Sequence, residues 1–114
     1  MNLTTITYGD FEKVDMRIGK IIDARDFPEA RKPAYQLKID FGSEIGLKNS
    51  SAQLTKRYVQ EELLGRKIVA VVNFAPKQIA NFISEVLVLG VPDGEGGIIL
   101  LATESEAPLG SRVY

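Results

Sequence analysis

Short segments with the composition of β-strands follow one another along almost the whole of this 114-residue chain. The clearest is 34–41, where large apolar side chains alternate with Gln36, Lys38 and Asp40, as expected of a strand with one buried face. Further strands are predicted at residues 16–24, 47–52, 67–74, 85–91 and 98–102. A chain with this order of short strands is predicted to be all-β.

Helix and turn signals place these strands in a particular order. One short helix is predicted at residues 59–64, between the third and fourth strands, with Gly65 as a left-handed C-cap. Another helical turn is predicted near the start, with Asp10 as its N-cap, and Gly19 is predicted to mark a bend or bulge in the first strand. Residues 42–46 are predicted to form a hairpin connection and residues 76–84 a longer one.

This order matches an OB-fold, a five-stranded Greek-key barrel with a short helix between strands 3 and 4. The remaining residues are predicted to form short N- and C-terminal extensions. Because a chain of this length supports one hydrophobic core, we expect a single domain over residues 1–114. Open barrels leave strand edges that invite association, and the strand at 98–101 and the N-terminal turn are candidates for covering them, either within the chain or across a symmetric dimer. A homodimer is the favoured assembly.

Two residue types are missing, and their absence restricts the chemistry. The chain has no cysteine and no histidine. Without them a thiol nucleophile, a thiolate metal site, the usual hydrolytic triads and the common zinc sites are excluded. We therefore predict a protein that is not an enzyme and that uses no cofactor and no metal ion. An enzyme that relies on Asp, Glu or Lys remains a weaker alternative.

Charge and hydropathy suggest a location and one charged surface. No apolar run approaches the roughly 20 residues that span a bilayer, and residues 1–10 lack the order of a signal peptide, so we expect a cytoplasmic protein without membrane insertion. The net charge is −1, yet residues 48–77 hold six cations and two carboxylates, while residues 85–114 are acidic. A folded barrel could therefore present one basic face, although scattered solvated charge is the alternative.

Three stretches of the chain resemble the tRNA-binding-domain superfamily in sequence, order and spacing. They are Val-Asp-Met-Arg-Ile-Gly-Lys at 14–20, Glu-Glu-Leu-Leu-Gly-Arg-Lys at 61–67 and Val-Val-Asn-Phe-Ala-Pro-Lys at 71–77. Residues 27–35, 48–53, 73–77 and 84–90 resemble its CsaA branch of export-related chaperones more specifically. This resemblance implies an OB barrel, a homodimer without catalytic activity, cytoplasmic binding of unfolded or exported preproteins, and a link to the Sec translocase.

Two segments depart from the tRNA-binding members of the superfamily. Ser-Ser-Ala-Gln at 50–53 stands where those relatives have Ser-Gly-Leu, and Gln-Ile-Ala-Asn-Phe at 78–82 stands where they have a basic segment. Both departures replace groups suited to phosphate with groups suited to apolar or hydrogen-bonded ligands. They favour a peptide ligand, with a tRNA-binding factor as the alternative.

OB-folds bind ligands on strands 2 and 3 and the adjoining loops, which selects the candidate binding residues. Pro28 and Pro33 bracket the two loop cations Arg31 and Lys32. A run of polar side chains follows in the third strand, at 48–53, and the amide of Asn73 ends a buried strand. The alternative for the two cations is an exposed basic loop without a ligand. For the polar run it is a turn whose side chains satisfy their own backbone, and for the amide it is a brace for a neighbouring loop. The predicted peptide- or RNA-binding residues are Arg31, Lys32, Lys48, Ser50, Ser51, Gln53, Asn73, Lys77 and Phe82.

Overall fold

A computed structural model describes residues 4–114, so the first three residues of the segment 1–10 discussed above lie outside it. The described residues form two short helices and nine strands. In chain order these are α1 (Tyr8–Glu12), β1 (Met16–Asp26), β2 (Tyr35–Asp40), β3 (Leu47–Ala52), α2 (Gln60–Leu63), β4 (Lys67–Val71), β5 (Lys77–Ile79), β6 (Phe82–Ser84), β7 (Leu87–Val88), β8 (Gly90–Pro92) and β9 (Ile98–Leu100).

The main sheet has five antiparallel strands in the order β3-β2-β1-β4-β7. The eleven-residue strand β1 pairs with β4 at one end and with β2 at the other. Its register with β2 shifts between Ile21 and Asp23, which leaves Ile22 as an exposed bulge. A bulged strand bends and twists, so one long strand serves both halves of a nearly closed barrel. The predicted all-β OB-fold is confirmed.

Gly19 does not form the bulge that the sequence suggests. The register of β1 with β4 is continuous through Gly19, which pairs with Ile68. A Cβ at this position would lie 2.6 Å from both Ile39 Cγ2 and Phe41 Cε1. The glycine is therefore required by the close approach of core side chains, and the bulge lies three residues further on.

The barrel core combines aliphatic packing with two buried tyrosines. Ile21, Leu37 and Ile39 are almost completely buried. The Tyr35 hydroxyl donates to the Tyr58 carbonyl at 2.8 Å, and the Tyr58 hydroxyl accepts the Leu100 N–H at 3.1 Å. Burial raises the pKa of the Tyr35 phenol. Both rings therefore belong to the core.

The two helices agree with the sequence only in part. α2 and the left-handed Gly65, with φ of 81°, follow the prediction. In α1 the N-cap is Thr7 and not Asp10. The Thr7 hydroxyl accepts the Asp10 N–H at 3.1 Å, and the Asp10 carboxylate accepts the Thr7 N–H at 3.0 Å, so Asp10 completes a capping box from inside the helix.

Two predicted segments have more structure than the sequence indicates. The connection predicted at 76–84 contains the β5–β6 hairpin, which pairs only with itself. The strand predicted at 85–91 is divided into β7 and β8, because Leu89 donates to Val69 of β4 while its carbonyl accepts the Leu101 N–H. The chain thus leaves the barrel at Leu89 and enters a separate β8–β9 ribbon.

Candidate functional site: a basic groove beside the barrel

The loop before β2 holds two adjacent cations in solvent. Its ends are fixed because Phe27 and Ala34 are buried, and the Ala30 N–H closes a turn on the Phe27 carbonyl at 3.2 Å. Between these anchors Arg31 and Lys32 are exposed, and neither has an ion-pair partner among residues 4–114. Both cations are therefore available to a ligand.

The end of β3 lies beside this loop, and strand alternation sends its polar side chains in opposite directions. Ser50 pairs with Leu37, is fully buried, and donates its hydroxyl to the Ser51 carbonyl at 3.2 Å. Ser51 is half-buried and Gln53 is exposed. Ser50 therefore belongs to the core and not to a ligand surface, which corrects its placement among the predicted binding residues.

The β5–β6 hairpin supplies the third element. Its two-residue turn begins at Ala80, which has a φ of 53°, a left-handed conformation that is uncommon for alanine. The Gln78 side-chain amide donates to the Ala80 carbonyl at 3.0 Å and supports this turn. Lys77 is exposed at the start of the hairpin, and it too lacks an ion-pair partner in the described chain.

These three elements enclose a groove of about 910 Å³, which we call the basic groove. Five of the predicted binding residues line it together: Arg31, Lys32, Ser51, Gln53 and Lys77. Its other lining residues are Glu29, Ala30, Ala34, Gln78, Ile79 and Ala80. Three cations and one carboxylate give the groove a local charge of +2, in contrast to −1 for the whole chain.

The lining of the basic groove indicates what it can bind. Its cations can contact carboxylates, phosphates or carbonyl oxygens, and the Ser51 hydroxyl and Gln53 amide can both donate and accept. Ala30, Ile79 and Ala80 add apolar surface between these polar groups. Such a mixture suits a flexible chain with both polar and apolar groups, because no single ligand geometry is imposed.

Two other predicted residues lie outside the basic groove. Lys48 is 3.8 Å from Glu85, whose carboxylate also accepts the Asn49 N–H at 3.0 Å, so Lys48 belongs to an ion pair at the outer edge of β3. Phe82 packs edge-to-face on Phe27 with ring centroids 5.4 Å apart. It faces a smaller polar pocket of about 220 Å³.

Asn73 acts as a brace in this structure. It is exposed, whereas the sequence suggests a buried amide at the end of an apolar run. Its side chain donates to the Lys13 carbonyl at 2.7 Å and accepts the Asp15 N–H at 3.0 Å. The amide thus holds the segment between α1 and β1 against the end of β4, and the bracing alternative applies.

The predicted binding residues do not include several groove residues, for an identifiable reason. Gln78 and Ala80 enter the groove through the β5–β6 hairpin, whose turn, Ala80-Asn81, lacks the usual Asn-Gly or Asp-Gly signal. The apolar residues Ile79 and Phe82, facing each other across that turn, are a weak sign of the hairpin. Glu29 lies two residues before Arg31, and only the loop conformation brings it to the groove.

Within residues 4–114 no group of three or more carboxylates could hold a metal ion. None of the helices in that range is long and apolar enough to cross a membrane.

A family model described as "Putative tRNA binding domain" matches residues 16–112 of the chain. The chain belongs to this family. The match begins with β1 and ends in the C-terminal segment that covers its edge, where Gly110 donates to the Ile18 carbonyl at 2.8 Å. The whole barrel and the basic groove are therefore part of the tRNA-binding-type domain.

Two solved chaperone structures match this tRNA-binding-type domain over nearly all of both chains. Chaperone CsaA from Bacillus anthracis is 50% identical, with a TM-score of 0.90, over 97% of this chain and 100% of the other. The CsaA chaperone protein from Picrophilus torridus is 56% identical, with a TM-score of 0.89, over 96% and 100%. The resemblance to the CsaA branch is confirmed.

A methionine–tRNA ligase is similar over a much smaller share of its length. The ligase from Pyrococcus abyssi is 40% identical over 108 residues, which are 95% of this chain and 14% of the ligase. The chain thus spans only about one seventh of that enzyme.

Proposed function

We propose that this protein is a cytoplasmic, non-enzymatic chaperone that binds unfolded segments of exported preproteins in the basic groove. The observation that carries the proposal is the composition of that groove, in which Arg31, Lys32 and Lys77 surround a partly apolar floor. The similarity to two CsaA chaperones over the full length of those chains supports it. A link to the Sec translocase belongs to the same proposal.

A homodimer would suit this function. One unfolded chain could occupy two grooves, so a weak site on each protomer would give useful avidity. Light scattering over a concentration series measures the assembly directly. A protein that remains monomeric at every concentration would remove this part of the proposal.

Binding of tRNA is the second candidate function. It is favoured by the family of the domain and by its similarity to a region of methionine–tRNA ligase. The three unpaired cations of the basic groove are equally able to contact phosphates. Residues 78–82 of this chain carry no basic side chain, whereas tRNA-binding relatives are basic there, and this difference favours a peptide ligand.

Direct competition distinguishes the two candidates. Labelled tRNA and a labelled, chemically unfolded preprotein are titrated with the full chain, singly and together, over a series of salt concentrations. We expect the affinity for the preprotein to depend only weakly on salt concentration. Binding to phosphates should weaken steeply with added salt, because the free energy gained by releasing counterions falls as the salt concentration rises. Tight tRNA binding at physiological salt, without measurable affinity for the preprotein, would reverse the order of the candidates.

A further inference from the structure

The five-stranded sheet has two edges, β3 and β7, and no ladder pairs them directly, because β3 is bonded instead to residues 84–86, just before β7. Near the middle of β3, the Glu85 N–H donates to the Asn49 carbonyl at 2.8 Å and the Ser51 N–H donates to the Ser84 hydroxyl at 3.0 Å. Beyond Ser51, no hydrogen bond between described residues connects the two edges. The barrel is therefore open between residues 52–54 and 87–90.

The edge of β7 presents free main-chain groups to this opening. The Leu89 N–H donates to the Val69 carbonyl at 2.9 Å, and Leu87 pairs with Val71, so the Leu89 N–H and the main-chain groups of Leu87 point towards β4. By the alternation of an antiparallel ladder, the N–H and C=O of Val88 point the other way. The ladder with β4 therefore uses neither group, and no turn, loop or side-chain hydrogen bond described for residues 4–114 involves them. This edge has one donor and one acceptor ready for another strand.

The opening is apolar and continuous with the basic groove. It forms a cavity of about 320 Å³, which we call the apolar gap. Its lining includes Leu54, Leu87, Leu89, Ile98 and Leu100. Ser51 and Gln53 line both the apolar gap and the basic groove, so one extended ligand can pass from one to the other.

We infer that the Val88 edge of β7 binds an extended apolar segment of an unfolded chain by main-chain hydrogen bonds, with its side chains in the apolar gap. This inference rests on the proposed function and specifies how the cargo is held. Main-chain pairing recognises any sequence that can extend, while the apolar lining selects stretches that a folded protein would bury. The cations of the basic groove then contact polar groups elsewhere along the same segment.

Other occupants fit this surface less well. A nucleic acid offers phosphates and bases, and neither matches an apolar cavity with one peptide-like donor and acceptor. β7 has only two residues, so strand pairing between two copies of this chain would share few main-chain hydrogen bonds. A peptide gains further contacts, because the basic groove continues from the apolar gap.

Backbone-methylated peptides test the inference without altering the protein. The reference peptide has one large apolar side chain among small central residues, which fixes its register in the apolar gap, and polar residues at both ends. Two twins carry N-methyl groups on alternate central amides, one twin on the odd and the other on the even positions. Only one set of amides faces β7. We expect one twin to lose about tenfold or more in affinity, by calorimetry, and the other to change little. Equal affinities for all three peptides would overturn the inference, as would equal losses.

A protein variant gives a second readout. Val88→Pro removes the free N–H without breaking an internal hydrogen bond, and proline is tolerated in edge strands. We expect it to weaken the reference peptide about tenfold and to abolish the difference between the twins. Should this variant fail to fold, amide exchange of the wild-type chain decides: the Val88 amide must become protected when the peptide binds, and an unchanged exchange rate contradicts the inference.

The outcomes separate this inference from the proposed function. If neither the peptide nor an unfolded preprotein binds, the proposed function fails. If the preprotein binds but the twins behave alike, only the Val88 edge is excluded. If Val88→Pro converts a dimer to a monomer by light scattering, a second copy occupies the edge and the inference is overturned.

Discussion

Gly19 of β1 lies directly against the ring of Phe41, the residue that follows β2. A Cβ at position 19 would come within 2.6 Å of the Phe41 ring, a distance that real Cβ atoms do not adopt. Both residues are buried. The two strands can therefore approach each other at this point of the barrel only because residue 19 has no side chain.

Gly19→Ala tests this close approach. We expect a loss of about 1–3 kcal/mol in the free energy of unfolding, because the core must move to accept one methyl group. Urea denaturation measures it. Gly9→Ala is the matched control, since its Cβ would meet only the Thr7 hydroxyl at an ordinary 3.7 Å within α1. The same loss in both variants would contradict the role assigned to Phe41.

Asn73→Ala separates bracing from ligand binding. The variant loses two hydrogen bonds to the segment between α1 and β1, so we expect about 1–2 kcal/mol less stability in urea. Because the side chain does not line the basic groove, affinity for an unfolded preprotein should stay unchanged. A variant with wild-type stability and reduced affinity would restore Asn73 to the binding surface.

The cations of the basic groove are tested one at a time. Arg31→Ala and Lys77→Ala should each weaken binding of an unfolded preprotein by about fivefold, roughly 1 kcal/mol for an exposed charge, with little effect on unfolding. Lys48→Ala is the control, because it removes the same charge outside the groove, where Lys48 pairs with Glu85. Fluorescence anisotropy measures all three. Equal effects from all three variants would indicate attraction by overall charge and not by the groove.

Asp93 should make the free energy of unfolding decrease at acidic pH. Its carboxylate accepts the Glu95 and Gly97 N–H groups at 2.7 and 3.0 Å and lies near Arg57, and these contacts lower the pKa of Asp93 below its ordinary value. Because the pKa of Asp93 is lower in the folded than in the unfolded state, its carboxylate stabilises the folded protein at pH values above the unfolded pKa of about 3.9. This stabilisation is lost as the pH falls through the folded pKa.

Asp93→Asn checks this pH dependence. We expect the variant to be less stable near neutral pH and to lose less stability than wild type between about pH 6 and pH 3, measured by urea denaturation at each pH. Glu104→Gln changes an exposed carboxylate without a described ion pair and serves as the control. Parallel pH profiles for wild type and Asp93→Asn would contradict the prediction.

The sequence predicts strands well where alternation or capping is local. β3 matches its predicted bounds, and Gly65 ends α2 with the expected positive φ. The strand predicted at 85–91 instead divides at Leu89, because that residue bonds to β4 and to the segment after β9, which are distant in sequence. Local patterns cannot specify a change of partner that depends on strands elsewhere in the chain.

The binding residues show the same division. That a basic loop, a polar third strand and a lysine after Pro76 would contribute to one site could be predicted, and Arg31, Lys32, Ser51, Gln53 and Lys77 do meet in the basic groove. The direction of each side chain depends on register. Ser50 is buried because it pairs with Leu37 of β2 and shares the core face of the sheet with it, while its neighbour Ser51 reaches the groove.

The amino-acid sequence by itself determined that this chain is an all-β barrel of the tRNA-binding type without histidine or cysteine chemistry, because strand periodicity, turn residues and composition are local properties. Tertiary structure alone decided that the β5–β6 hairpin forms one wall of the basic groove, that Asn73 is a brace, and that Val88 has free main-chain groups beside an apolar gap. Each of these features depends on which segment, distant in sequence, lies beside the residue. Hydrogen bonds between strands determine those neighbours only when the barrel folds.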